Sequence, residues 1–265
     1  MDRAAFDDKA PQCGAFLLWL CCALGLAFLP PPSVAGICSV PKDAELAAVR
    51  QVIDGDTLQL RDGRHIRLIG LDTPEIGHDG ERDMPGAQAA KSALQQLVHA
   101  GGDRVYLQPG RESRDRYRRW LAHLYTPDGK SLTQALLRKG LGRQIAFPPN
   151  LSNLECYRDA EASARAEKRG LWQTAVQEAA SLQGDESGFH LLRGRIAHVG
   201  RSRSALWLDL EGGLAIRIAW KDWDAYFRSE AEPQVGRRLE FRGWIYRQKG
   251  EQRVRVRHPS AMRWL

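Results

Sequence analysis

The sequence predicts a mainly-β protein with helices set around its strands: one five-stranded barrel bearing three helices, then a second small β-barrel. Three observations carry this. The first part of the ordered chain reads strands, helix, strands, helix, helix. A polar stretch rich in Ala, Gln and Glu over Gln173–Ser187 shows no strong periodicity and marks a boundary. Beyond it, five further strand-like runs and one short helix occupy 188–265. Hydrophobic residues make up 43% of the chain and aromatic ones 8%, which supports ordinary packed cores and excludes a disordered chain.

From Leu46 to about Leu71 the pattern alternates as strands do, with Thr57–Leu60, then Asp62-Gly63, then His65–Ile69. An Asp-Gly between alternating runs is a hairpin signal. Asp54-Gly55 breaks the preceding run and predicts a bulge or bend that can turn carboxylates toward an ion. Between Pro85 and Ala100 the residues Ala90, Ala93, Leu94, Leu97 and Val98 fall at helical spacing, and Gly101-Gly102 supplies the stop. Arg104–Leu107 and Trp120–Tyr125 read as strands joined by an arginine-rich segment, and a second helix runs from Ser131 to Lys139. Ser152-Asn153-Leu154-Glu155 reads as a capping box opening a third helix to Arg169, with Gly170 as its stop. This order fits a small OB-type barrel with helices outside it. The final strands are expected at Phe189–Val199, Leu206–Leu210, Leu214–Ile218, Leu239–Tyr246 and Gln252–His258, with a helix at Lys221–Phe227, again an OB-like set.

The expected organisation is a leader over 1–35, a first domain over 36–175, a linker over 176–187 and a second domain over 188–265. Ala15–Leu29 is an uncharged apolar run of 15 residues closed by three prolines and by Ser33-Val34-Ala35. It is short of the roughly 20 residues that span a bilayer, and its small-x-small ending suits cleavage after Ala35. The reading is an export signal, placing the protein in the periplasm or outside the cell, or a short membrane anchor if the segment is retained; Asp2, Asp7 and Asp8 make the leader less basic than usual. Cys38 and Cys156 are then the two cysteines of the exported part, and an even pair in an oxidising compartment suggests a disulfide, the alternative being two free thiols.

The chain has 39 Lys and Arg against 32 Asp and Glu, a net +7, which suits a polyanionic partner without requiring one. Asp54-Gly55-Asp56-Thr57, Arg67, Asp72-Thr73-Pro74-Glu75 and Asp115-Arg116-Tyr117-Arg118-Arg119 have the composition of a site that cleaves phosphodiesters. That reaction needs a hard cation on phosphoryl oxygens, a carboxylate to aim or deprotonate water, and fixed positive charge where phosphorus becomes more anionic.

With these motifs in order, the chain from about Ala48 to Trp172 resembles the thermonuclease family, the staphylococcal-nuclease-like domains. The resemblance includes the strand Ile53–Thr57, Arg67 five residues before Asp72, the Asp-Thr-Pro-Glu signature, the arginine-rich loop, the helix end at Ala135–Gly140 and the terminal Gly-Leu-Trp. It implies that Asp56 and Asp72, with the backbone carbonyl of Thr73, hold one Ca²⁺, and that Asp54 supports them from behind. Glu75 is matched to the residue that orients or deprotonates the attacking water. Arg67 and Arg119 are matched to the pair clamping the scissile phosphate, where a planar guanidinium donates two parallel hydrogen bonds. Arg116 and Tyr117 match positions that contact a terminal phosphate. Two departures stand out: Arg118 occupies the family's glycine position, which predicts an altered turn, and Phe147-Pro148-Pro149-Asn150 replaces a segment whose tyrosines stack on the base.

In the second unit Trp207, Trp220, Trp223, Trp244 and Trp264 are interleaved with arginines, and Arg253-Val254-Arg255-Val256-Arg257 places three guanidinium groups on one strand face. That face suits a phosphate backbone, or is simply an edge that discourages pairing. The expected function is an exported Ca²⁺-dependent nuclease acting on DNA, with RNA left open as a second substrate, and without an obligate protein partner. The alternatives are a non-catalytic nucleic-acid-binding module and an envelope-associated interaction protein on the same fold.

Overall fold

The computed structural model describes residues 38–77, 80–184 and 186–265; the expected leader over 1–35 lies outside them. Alternation along β1 (Glu45–Val52), β2 (Thr57–Leu60) and β3 (His65–Leu68) folds these strands into an antiparallel meander, with Gly63 at φ 90° in the Asp-Gly turn. β4 (Leu71–Asp72) leads to α1 (Ala87–Ala100), and β5 (Arg104–Arg114) and β6 (Trp120–Tyr125) follow. β6 returns parallel to β3, so β1, β2, β3, β6 and β5 close a barrel. Its inward residues Val49, Leu58, Leu60, Ile66, Leu68, Leu107 and Leu124 share one core with Leu94 and Val98 of α1.

α2 (Leu132–Arg138) begins where the Ser131 side chain accepts the N–H of Gln134 at 3.2 Å. β7 (Arg143–Gln144) then pairs antiparallel with β4, and α3 (Leu154–Ala166) packs on α2. The expected capping box at Ser152–Glu155 does not form. Asn153 holds the N-cap position in the left-handed region (φ 62°), without a side-chain cap, because its amide donates instead to the Tyr125 hydroxyl at 2.8 Å. Glu155 pairs with Arg158, and α3 stops at Ala166 rather than Arg169.

The stretch expected as a linker carries β8 (Gln177–Glu178), which runs parallel to the next strand, and a buried Ala179. β9 (Gly188–Arg201), β10 (Ala205–Leu210), β11 (Ala215–Ala219), β12 (Arg238–Gln248) and β13 (Glu251–Arg255) form the second barrel, with β9 pairing to both β10 and β12 to close it. α4 (Trp220–Asp222) runs into a π-helical turn over Trp223–Phe227 between the third and fourth strands. The closing strand, β13, runs parallel to β11, so both barrels share one strand order with a helix at the same connection, as OB-type barrels do. The last strand ends at Arg255 rather than His258, and a further strand, β14 (Met262–Trp264), pairs with β12.

The described residues from Cys38 to Leu265 fall in one compact unit, so the two barrels are packed together. Their contact is polar at its centre. Glu240 of β12, 2% exposed, accepts both guanidinium nitrogens of Arg165 at 2.6 and 2.9 Å and pairs with Arg193 and Arg263. Burial alone would raise its carboxyl, but the hydrogen bonds and charge of Arg165, with Arg263 and Arg193, carry it down to about 2. Four residues further along β12, Trp244 forms a ring cluster with Phe147 and Phe189, whose centroids lie 5.3 and 4.7 Å from its own. A disulfide joins Cys38 to Cys156 of α3 with the Cα atoms 5.9 Å apart.

Candidate active site

Between β1 and β2 the chain makes a tight bend in which the N–H groups of Ile53 and Asp54 both donate to the Thr57 carbonyl, at 2.9 and 3.1 Å. Glycine is required there: a Cβ on Gly55 would lie 2.6 Å from Cβ of Ala90 and 2.7 Å from Oγ1 of Thr73. The bend delivers Asp56 into the wall of the barrel. Its Oδ2 accepts the N–H and the hydroxyl of Thr73 at 3.0 and 3.1 Å, and its Oδ1 accepts the Thr57 hydroxyl at 3.0 Å.

Asp72 comes from β4, held in place by β7. Between the two aspartates stands Arg67 of β3, one nitrogen paired with Asp56 Oδ2 and the other donating to Asp72 Oδ1 at 2.9 Å. All three side chains are buried. Burial pushes the Asp72 carboxyl up, with Arg67 and Arg143 opposing. Burial likewise pulls the Arg67 guanidinium down, opposed by Asp72 and Glu75 and reinforced by the charge of Arg119.

Asp54 is buried too, close enough for its charge to act on Asp72, its Oδ1 accepting the N–H of Gly55 at 2.6 Å. It also hydrogen-bonds to Glu75, whose residue is exposed at the surface while its carboxyl faces the acids on one side. Crowding and burial, then the bond and charge of Asp54, push Glu75 up to about 7 against the pull of Arg67.

The arginine-rich segment between β5 and β6 is folded around Asp115. Its Oδ1 accepts the N–H groups of Tyr117 and Arg119, each at 2.9 Å, and its Oδ2 accepts Nε of Arg119 at 2.7 Å. Arg118 sits at φ 66°, the left-handed conformation that glycine adopts without penalty, so the loop turns here with arginine in the strained position. Tyr117 is 63% exposed and carries the Arg116 guanidinium 4.7 Å from its ring centre. Arg64, His65, Trp120 and this loop line an open groove of about 440 Å³.

The structure thus gathers Asp54, Asp56, Arg67, Asp72, Thr73 and Glu75 in one cluster, with Arg119 near enough for its charge to act on Arg67. Arg116 and Tyr117 stand at the exposed rim of the loop. Cys38 and Cys156 lie apart, tying the start of the described chain to α3. Among the described residues no group of three or more His, Cys, Asp or Glu side chains is spaced to hold a metal ion. The oxygen donors drawn together are those of Asp56 and Asp72, both on Arg67.

One layer of this site was invisible to motif reading. Gln144 of β7 donates its N–H to Glu161 of α3 at 2.7 Å, and Arg242 of the second barrel donates to Glu161 at 2.7 Å and to the Gln144 carbonyl at 2.8 Å. Arg143, next along β7, pairs in register with Asp72. The second barrel therefore holds the strand that positions a site aspartate. No spacing rule connects residues 72, 144, 161 and 242.

A family model described as staphylococcal nuclease homologue matches residues 65–174. Over 128 residues the chain is 33% identical to a thermonuclease of Staphylococcus intermedius, covering 47% of this chain and 74% of that protein. The chain belongs to the staphylococcal nuclease homologues. It is also 34% identical over 134 residues to an uncharacterized endonuclease of Escherichia coli O157:H7, covering 48% of this chain and 76% of that one. With endonuclease YncB of Bacillus subtilis (strain 168) it shares 32% over 126 residues, 46% of this chain and 59% of that one. In this staphylococcal nuclease homologue, Phe147 lies inside the segment that the family model matches, and its ring packs on Trp244 of the second barrel, beyond that segment.

Proposed function

We propose that the protein is an exported, Ca²⁺-dependent nuclease hydrolysing phosphodiester bonds of DNA, and of RNA through the same site. The observation that carries this reading is the convergence of Asp56, Asp72 and Glu75 around Arg67, in a chain whose relatives are named as nucleases. Two buried carboxylates on a single guanidinium are hard oxygen donors, burial opposes the negative charge of Asp72, and a divalent cation suits such a pair. Asp56 and Asp72 with the Thr73 carbonyl would hold that cation, and bound there it would supply Lewis-acid polarisation of a phosphoryl oxygen.

The chain's own residues would do the rest. Arg67 and Arg119 bring fixed positive charge toward a phosphate from β3 and from the arginine loop, and a guanidinium keeps its proton throughout. Asp115 aims Arg119 by holding its Nε. Glu75, at the surface end of the acid cluster, is open to water and is the group to orient or deprotonate the nucleophile. Arg116 and Tyr117 offer a donor and an aromatic face to a terminal phosphate and its nucleoside.

Export is supported by the apolar run Ala15–Leu29 and the small-residue stretch after it, and by a disulfide that persists in oxidising compartments. The location is then periplasmic or extracellular, with membrane attachment only where the segment stays uncleaved. Among the described residues no helix is long and apolar enough to cross a membrane. The test is a Ca²⁺ titration of the full chain on plasmid, single-stranded DNA and RNA, followed by chelator. Cleavage that appears with Ca²⁺ and vanishes with chelator is expected; binding without cleavage at saturating Ca²⁺ would overturn the reading.

A further inference from the structure

The outward face of the second barrel carries a cluster that the active site does not use. Trp207 of β10, Arg217 of β11 and Arg255 of β13 stand in one row across three neighbouring strands, since Trp207 pairs with Arg217 and Arg217 with Arg255. Residues in register point to the same side of a sheet. Two residues along β13, Arg253 lies on that same side, opposite Tyr246 of β12. The guanidinium groups of Arg253 and Arg217 stand 4.8 and 5.8 Å from the Trp207 ring. On its other flank Trp207 pairs with Gly200, so no side chain at that position covers the indole.

This arrangement is costly for a sheet with no partner. Like charges directly opposite across a strand pair destabilise it, and Arg217 against Arg255 is such a pair. Among the described residues neither has a carboxylate partner within ion-pair distance, whereas Arg253 is held by Glu251 and Gln248 at 2.6 and 2.7 Å. The acid nearest along β10, Asp209, is taken by His198 at 3.0 Å. Two unpaired guanidinium groups and a third beside a half-buried indole, whose Nε1 donates to the Ser202 hydroxyl at 3.1 Å, match a chain that alternates phosphates with flat rings. A duplex would offer the phosphates but keep its rings stacked away from the indole.

We propose that this face, centred on Trp207 with Arg217, Arg253 and Arg255, binds single-stranded nucleic acid and holds substrate strands to the enzyme outside the catalytic cluster. The proposal rests on the nuclease reading for its biological sense, but binding at this face is measurable without turnover. Arg217 and Arg255 grip phosphates, and Trp207 stacks one base.

The experiment uses the full chain carrying Glu75→Gln, in chelator, with a labelled single-stranded oligonucleotide and the matching duplex, read by fluorescence anisotropy over a salt series. Trp207→Ala should weaken single-strand binding between about fivefold and a hundredfold. Trp207→Phe should recover part of that loss. Arg217→Gln with Arg255→Gln should lower the slope of log affinity against log salt by roughly 1.4, two phosphate contacts at about 0.7 each. In the otherwise native enzyme, the ratio of kcat/KM on a long single strand to that on a dinucleotide phosphodiester should fall in the same variants. Thermal melts establish that each variant is folded. Folded variants with unaltered affinity and slope, or a native protein that binds duplex at this face as tightly as single strands, would overturn the proposal. Failure of the native enzyme to cleave any substrate would instead count against the nuclease reading and leave the anisotropy result to stand alone.

Discussion

Arg242→Met tests whether the second barrel supports the catalytic cluster. Arg242 and Glu161 are 8% and 6% exposed, joined at 2.7 Å, and Arg242 also donates to the Gln144 carbonyl. Removing one partner of a buried ion pair leaves an uncompensated charge and costs about 3–5 kcal/mol. Set against the roughly 5–15 kcal/mol by which domains are stable, that loss appears as a depressed melting temperature, and the enzyme is assayed below it. The effect on chemistry travels a short path, because Glu161 and Arg242 both grip Gln144, β7 pairs with β4, and β4 carries Asp72. A displacement near 1 Å at a reacting centre costs about a hundredfold in rate. The expectation is therefore a kcat lower by ten- to a hundredfold on a nucleic-acid substrate, with KM changed far less. The double variant Glu161→Met/Arg242→Met separates the two effects. It removes the buried charges together and should regain much of the stability, since apolar replacements of buried pairs are tolerated. It should not regain kcat, because β7 still lacks its anchor. A folded Arg242→Met enzyme with kcat within twofold of native would refute this chain of support.

Three other perturbations follow from particular contacts. Cys38→Ser opens a bridge between residues 118 apart in sequence and should cost roughly 2–5 kcal/mol in denaturant unfolding, with little change in kcat, as the bridge lies away from the acids. Arg118→Gly relieves a left-handed backbone position and should stabilise by up to about 1 kcal/mol, read as a higher denaturant midpoint. His123, 2% exposed and hydrogen-bonded to the Tyr157 hydroxyl at 2.9 Å, is pushed by burial from 6.5 down to about 4. Between those values the unfolded chain holds a proton that the folded one refuses, so this contribution is intact above pH 6.5 and is lost as pH falls toward 4, by about 3 kcal/mol in total. His123→Gln should flatten that part of the stability profile relative to native protein.

The barrels were legible because their strands alternate and their turns use Asp-Gly and Gly-rich breaks, local signals that survive in a single sequence. The grouping of Asp56, Arg67, Asp72 and Glu75 was expected from the resemblance to the family rather than from any local signal, and the structure draws these four side chains together from the bend before β2, from β3, from β4 and from the loop after it. What the sequence concealed is non-local or ambiguous. Two-residue strands such as β4 and β7 have no periodicity to detect, and their pairing joins residues far apart. Ser152–Glu155 has the letters of a capping box, but Tyr125 from β6 captures Asn153 and the helix starts without one. The glycine position at Arg118 looked like a change of turn, yet the Asp115 carboxylate holds the loop in a conformation glycine would favour. Arg242 carried no signal at all, being one arginine among many until α3 and β12 were seen together.

In the proposed reading Asp56, Asp72, Glu75, Arg67 and Arg119 form one phosphodiester-cleaving centre. Single-turnover cleavage of a single-stranded oligonucleotide by Glu75→Gln in saturating Ca²⁺ addresses it most directly, since that change keeps the size of the side chain and removes its charge. The expected rate is at least about a hundredfold below native, with substrate still bound. A rate within a few-fold of native would contradict it.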